Sequence, residues 1–309
     1  MDAFTVLRKV AAAQDGMVTL AQARAAGITV AEADLLCRTG RWRRLARAAY
    51  LVDADLQDGI PRRARIRAAV QSLGPGAAAV LATAAELHQV AGLPTTEEVH
   101  VSVPGPAARP RRLRDPAVVI HQMVIAPSQV GAVAGIAATT PLRTVADLIL
   151  RSSRFEAVSV LDSALNRGLV TEVDLAAVPA LIRGRRGAVA ARSYLAEADG
   201  RVQSPLETRS RLRCVDGGVA PDELQYAVRD TDGYLLGVGD MAWRRARIIG
   251  EADGRGPHST PEALYQDRWR QNRIVNAGWI ILRFTWADTL RPDYIPYVVR
   301  TALNARLPR

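Results

Sequence analysis

The sequence predicts an α+β chain of several domains, and three observations predict it. Its 309 residues exceed what a single hydrophobic core usually organises. The hydrophobic pattern changes along the chain: short helical windows and a hairpin come first, mixed helices and alternating segments follow, and a strand-rich stretch carrying one long helix comes last. Hydrophobic residues make up 49% of the composition, enough to bury real cores. The expected boundaries are 1–53, 54–200 and 201–309.

Residues 3 to 14 place Phe4, Leu7, Val10 and Ala11 on one helical face, and Gly16 ends that helix in a left-handed conformation. Thr19 precedes a second helix over 20–26, stopped by Gly27. Thr29 and Glu32 have capping-box spacing for a third, through Arg38. After Gly40, residues 41–45 and 49–52 read as the two strands of a hairpin. Three helices and a hairpin in this order make a winged helix-turn-helix. In that fold the third helix enters the major groove of double-stranded DNA and the wing follows phosphates. Arg38, Arg41, Arg43, Arg44 and Arg47 are therefore the expected DNA-contacting cluster, against the plainer reading of a solvated basic face. A net charge of +10 and a pI near 10.5 suit a polyanionic partner. Lys9 is the sole lysine, so an arginine-rich composition also inflates that charge.

The stretches Gly16 to Leu20, Gly27, Gly40 to Leu45 and Ala48 to Tyr50 resemble the N-terminal winged-helix domain of AbiEi-type antitoxins. Ala48 stands where that family has a glycine. Leu81 to His88 and Thr140 to Asp147 resemble segments of AbiEi-like proteins too. The resemblance implies a regulator that represses a promoter and neutralises a partner toxin of the nucleotidyltransferase type.

In the middle of the chain, Arg62 to Leu73 and Ala77 to Val90 read as helices, Glu98 to Val103 and Ala117 to Gln122 as strands, and Gly105 to Pro116 as a Pro/Arg-rich loop. Pro141 opens a helix, Phe155 to Arg167 forms one that stops at Gly168, Thr171 caps the next, and Ala188 to Ala198 follows a glycine-bounded turn. This is an α+β connector. His88 and His121 have no Cys or carboxylate at ligand spacing and read as packed or surface residues. Cys37 and Cys214 suggest neither a disulfide framework nor zinc, which fits a reducing compartment. With no signal-peptide pattern and no uninterrupted 18-residue apolar span, a cytoplasmic protein without a membrane partner is expected.

The last third reads as αβββαβ. Ser204, Pro205 and Glu207 start a helix; Leu224 to Arg229, Tyr234 to Met241 and Arg245 to Ala252 form an antiparallel meander. A helix over Ser259 to Ala277 then leads into a strand over Trp279 to Thr285, a crossover that implies parallel pairing. Asp240 and Glu251 are expected to meet across a strand pair, with Asp253 and His258 following. Oxygen ligands from neighbouring strands suit Mg²⁺ or Mn²⁺, and a nearby imidazole suits proton transfer on a phosphodiester. Metal-assisted cleavage of nucleic acid is the chemistry such a set would perform. Each member also has a structural reading: Glu207 as a helix cap, Asp240 and Asp253 as strand-end residues, Glu251 paired with Arg245 or Arg247, His258 bonded to its own loop. Gly250 is unusual for a central strand and suggests a close approach or a relaxed site.

Ser204 to Glu207, Asp240, Glu251 to Gly254 with His258, Asp267 with Arg268 and Arg270, and Gly278 to Phe284 together resemble the Vsr-type branch of the PD-(D/E)xK nucleases, over residues 201–290. That resemblance implies a restriction-endonuclease-like domain with Asp240 and Glu251 as ligands of Mg²⁺ or Mn²⁺ and Glu207 as an accessory acid. Asp253 and His258 would take the place of the motif lysine. Arg268, Arg270 and Arg283 would be phosphate contacts or ion-pair partners. Two functions follow: a DNA-binding, metal-dependent endonuclease, or a non-enzymatic AbiEi-like regulator that keeps a degenerate nuclease fold.

Overall fold

The computed structural model describes residues 2–52, 59–105, 115–254 and 261–307. They form two compact units, one of Met1–Val90 with Pro94–Asp147, the other of Ala91–Leu93 with Leu148–Arg309. The division falls inside the 54–200 segment.

In the first unit, α1 (Ala3–Ala12), β1 (Met17–Thr19), α2 (Leu20–Ala25), α3 (Val30–Arg38), β2 (Trp42–Ala46) and β3 (Ala49–Val52) follow one another. Capping boxes at Thr19/Gln22 and Thr29/Glu32 satisfy the first amides of α2 and α3. The strands form an antiparallel sheet of order β1-β3-β2. Leu7, Val18, Ala23, Leu36, Trp42 and Tyr50 fill the core beneath it. The Trp42 ring lies 5.7 Å from that of Tyr50, so Trp42 packs inward. β1 escaped the sequence reading because three residues cannot display a period.

The unit continues through α4 (Arg62–Leu73), β4 (Ala78–Ala79), α5 (Leu81–Leu87), β5 (Val99–Ser102), β6 (Val118–His121), β7 (Val130–Val133) and β8 (Ile136–Thr139). The strands make a mixed sheet of order β6-β5-β4-β8-β7. The single helix expected over 77–90 is corrected: two residues of strand precede α5. β7 and β8 were not expected either, since Val-Gly-Ala-Val and Ile-Ala-Ala-Thr carry few of the bulky side chains that mark strands. The buried Arg67 ties α4 to two loops, with Nη2 2.7 Å from Asp15 Oδ2 and 2.7 Å from the Ala134 carbonyl. His88 is a packed residue whose Nε2 lies 2.7 Å from the Thr139 carbonyl. His121 meets His100 across β5 and β6, ring nitrogens 3.0 Å apart.

α6 (Pro141–Ile149) spans the division. The second unit then comprises α7 (Arg154–Asn166), α8 (Glu172–Leu181), α9 (Ala188–Leu195), α10 (Pro205–Asp216), β9 (Glu223–Arg229), β10 (Leu235–Trp243), β11 (Ile248–Ala252), α11 (Pro261–Asn276), β12 (Ile280–Phe284), α12 (Trp286–Thr289) and α13 (Tyr294–Arg306). From α10 to β12 the elements run in the αβββαβ order read from the sequence. The sheet order is β12-β11-β10-β9, antiparallel except for the β11/β12 pair. One side packs Val228, Ala242 and Ile249 against Ile274 of α11. The other packs Met241, Trp243, Ile248 and Phe284 against Cys214 of α10 and Ile295 and Val299 of α13. Burial pushes the Cys214 thiol up to about 12, so it behaves as a small apolar side chain. A Cβ on Gly250 would meet Met241 and Trp243 at 3.2 Å; those side chains need the space above that glycine. Among the described residues, no helix is long and apolar enough to cross a membrane.

Candidate functional site

β11 and β12 pair in parallel with Glu251 opposite Arg283, which puts both side chains on one face, toward α11. α11 contributes Asp267 and Arg270, one helical turn apart. Together with Val238, Asp240, Ala252, Asp253 and Gly254 these residues line a cleft of about 510 Å³. The sequence-predicted residues Asp240, Glu251, Asp253, Arg270 and Arg283 therefore converge. Arg268 is exposed on α11 and does not line the cleft. His258 lies outside the described residues.

Charge pairs run across the cleft wall. Arg270 Nη2 lies 2.7 Å from Glu251 Oε1 and 3.0 Å from Asp267 Oδ1. Arg283 Nη2 lies 3.1 Å from Glu251 Oε2 and 2.8 Å from Asp267 Oδ2, and its Nη1 is 3.6 Å from Asp253 Oδ2. Each oxygen of Glu251 thus faces a different guanidinium, neither of them Arg245 or Arg247. Burial pushes the Glu251 carboxyl above the usual range, opposed by Arg270 and then Arg283. Against its own partial burial, Asp267 is held below the usual range by bonds from Arg270 and by the charge of Arg283.

Asp240 sits where the β10/β11 ladder ends, one residue before the last paired position, Met241. Its Oδ2 accepts the Ala252 amide at 2.7 Å, so the side chain replaces a main-chain acceptor. Burial pushes its carboxyl upward, against the Ala252 bond, and the charge of Glu207 adds to the rise. Glu207 is itself engaged: its Oε2 accepts the Gln203 amide at 3.0 Å and Gln225 Nε2 at 2.9 Å. Gln225 also bonds Asp240 and links the two acids. That glutamine, held at φ 52, was not singled out from the sequence, and no motif marks it.

This set does not fit a divalent cation. An ion between Asp240 and Glu251 would need free carboxylate oxygens, and Glu251 spends both on guanidinium groups while Asp240 spends one on the backbone. Among the described residues, no three His, Cys, Asp or Glu side chains are grouped to hold a metal. Asp240, Glu251 and Asp253 do line one cleft, and Arg270 and Arg283 share it with them, so the set is a network of acids and arginines.

In the first unit, Arg38, Arg41, Arg43 and Arg47 are exposed around the end of α3 and the β2/β3 hairpin. Arg41 lies 5.4 Å over the Phe4 ring. Arg44 is exposed as well but engaged, bonded to Asp34 and stacked 5.4 Å from the Tyr50 ring centre. It offsets the charge of Asp34 on α3.

Residues 77–197 match the family model described as AbiEi antitoxin C-terminal domain. The uncharacterized protein Rv2248 of Mycobacterium tuberculosis H37Rv is 34% identical over 221 residues, 71% of this chain and 78% of its own length. The chain belongs to that protein's family. The uncharacterized protein MT2308 of strain CDC 1551 aligns with the same identity and coverage. The crystal structure of the RV2827C protein from M. tuberculosis is similar over 74% of this chain and 84% of that one, at 16% identity and a TM-score of 0.43. The match to the AbiEi antitoxin C-terminal domain covers the middle of the chain, residues 77–197.

Proposed function

We propose that this chain is a DNA-binding regulator of the antitoxin type. Its N-terminal three helices and hairpin act as a winged helix, and its C-terminal αβββαβ layer is a nuclease-like scaffold whose acidic cleft is spanned by arginine–carboxylate pairs. The match of residues 77–197 to the AbiEi antitoxin domain carries the reading. The geometry supports it twice: Arg38, Arg41, Arg43 and Arg47 stand exposed beside α3 and the hairpin, where phosphates would run, and Glu251 is saturated by Arg270 and Arg283. The protein partner on this reading is a toxin encoded beside it, of the nucleotidyltransferase type.

The test is a mobility shift of the chain on its own upstream duplex at several salt concentrations. Wild type should bind with strong salt dependence, and Arg41→Ala with Arg43→Ala should weaken it across sequences. Binding untouched by both substitutions removes the winged-helix assignment.

A metal-dependent endonuclease is the second reading: Asp240 and Glu251 share a cleft, and the reading requires Arg270 and Arg283 to release Glu251 to an ion. Incubation of plasmid with Mg²⁺ or Mn²⁺ decides it: cutting that Glu251→Ala and Asp240→Ala both abolish would displace the regulator-only account.

A further inference from the structure

A second groove lies in the C-terminal unit, along the edge strand β9 and the C-terminal half of α11, away from the acid cleft. Its volume is about 730 Å³. Arg229 stands at the β9/β10 turn, Arg244 and Arg247 at the β10/β11 turn, and Arg273 comes from α11. Between these cationic groups the floor is aromatic: the Tyr226 and Trp279 rings, 5.4 Å apart and tilted by 40°, are both half-buried and line it.

The arginines are available in a way that those of the acid cleft are not. Arg229, Arg247 and Arg273 bond to the main-chain carbonyls of Gly233, Ala277 and Leu235, and none makes a carboxylate pair among the described residues. Arg244 reaches Glu223 only at 3.5 Å. Asp230, the one acid lining the groove among the described residues, accepts the amides of Asp232 and Tyr234 with Oδ1, and its single charge stands against four guanidinium groups. A carbonyl acceptor orients a guanidinium without cancelling its charge, so the groove keeps a net positive field with donors left over. α11 extends the aromatic character, since Arg273 lies 4.5 Å over the half-exposed Trp269 ring.

Cations at both ends with π-faces between them match a polyanion whose flat groups are free to stack. Duplex DNA hides its base faces, and an acidic peptide has none. We infer that this groove binds single-stranded nucleic acid, with phosphates at Arg229 and Arg247 and a base against Trp279. The site is separate from the duplex contacts proposed for the hairpin and does not depend on them.

The test is fluorescence anisotropy of the full chain with a labelled twelve-residue oligothymidylate, dT12. Wild type should bind, and Arg229→Glu with Arg247→Glu, both at exposed positions, should weaken binding at least tenfold. Trp279→Leu should weaken it by about tenfold, the loss of one stacked base. Arg43→Glu, in the hairpin, should leave dT12 binding within twofold while weakening duplex binding. Near-ultraviolet dichroism checks folding of each variant; the arginine pair decides if the tryptophan variant fails to fold. Absence of dT12 binding by wild type, equal binding by the folded arginine pair, or displacement of dT12 by thymidine monophosphate or blunt duplex at equal nucleotide concentration overturns the inference.

Discussion

Arg270 on α11 and Glu251 on β11 lie 2.7 Å apart, in a cleft where Asp240, Asp253 and Asp267 also stand. The pair bonds a helix to the sheet beneath it. It also offsets part of the acidity of that surface: with Arg283 from β12, two guanidinium groups face the four carboxyl groups.

Removing the guanidinium should therefore cost stability. Arg270→Ala leaves a largely buried carboxylate with Arg283 as its remaining partner, and a loss of about 2 kcal/mol is expected, below the full cost of breaking a buried pair. Burial already raises the Glu251 carboxyl, and losing Arg270 raises it further. A raised carboxyl contributes stability at low pH and loses it as pH rises through its folded value. The variant should thus be nearest wild type near pH 4 and furthest from it at neutral pH in urea titrations. A gap independent of pH would show that Glu251 is not the group affected.

The same network predicts a gain. Arg270→Ala combined with Arg283→Ala frees both oxygens of Glu251 and Oδ1 of Asp267, hard ligands suited to Mn²⁺. Calorimetry should record Mn²⁺ binding to the double variant at concentrations where wild type shows none. Equal binding by both proteins would mean that the arginines do not guard the cleft.

Arg44 and its neighbours should separate cleanly. Arg41→Ala, Arg43→Ala and Arg47→Ala should each lower the salt slope of duplex binding by about 0.9, one phosphate contact apiece. Arg44→Ala should leave that slope unchanged and lower the melting temperature, because Arg44 serves Asp34 and Tyr50. The opposite pattern would place Arg44 at the DNA.

Asp162, buried on α7, accepts the Asp199 amide at 2.7 Å and the Thr208 hydroxyl at 2.8 Å, with Arg211 3.2 Å away. Burial raises its carboxyl to about 6, against the charge of Arg211 and those bonds. The contribution to stability is whole below pH about 4 and gone above pH about 6, a swing of about 3 kcal/mol. Asp162→Asn should flatten the pH dependence of unfolding by that amount between pH 4 and 7, read by tryptophan fluorescence. Parallel curves would rule out Asp162 as the titrating group.

Ala48 occupies the β2/β3 turn at φ 57, in the left-handed region, which costs a residue with a Cβ about 1 kcal/mol. Ala48→Gly should stabilise the first unit by about 0.5–1 kcal/mol in thermal melts.

Local chemistry was legible in the linear chain. The helix start after Thr19, the capping box at Thr29, the stop at Gly16, the hairpin after Gly40 and the αβββαβ order rest on neighbours a few residues apart, and the structure has them. Short strands without a period, β1, β4, β7 and β8, took shape only through the sheets that recruit them. The carboxylates of the cleft were likewise visible as residues, and their set suggested an ion.

What tertiary structure alone decided was their partners. Arg270 and Arg283 are 19 and 32 residues from Glu251 and reach it only because α11 lies across β11 and because β12 pairs in parallel with Glu251 opposite Arg283. Sequence determines which groups are charged and which segments are periodic. Whether an acid meets a cation, an amide or open solvent is settled by long-range packing, and at distances near 3 Å that choice of partner outweighs the residue's identity in fixing its chemistry.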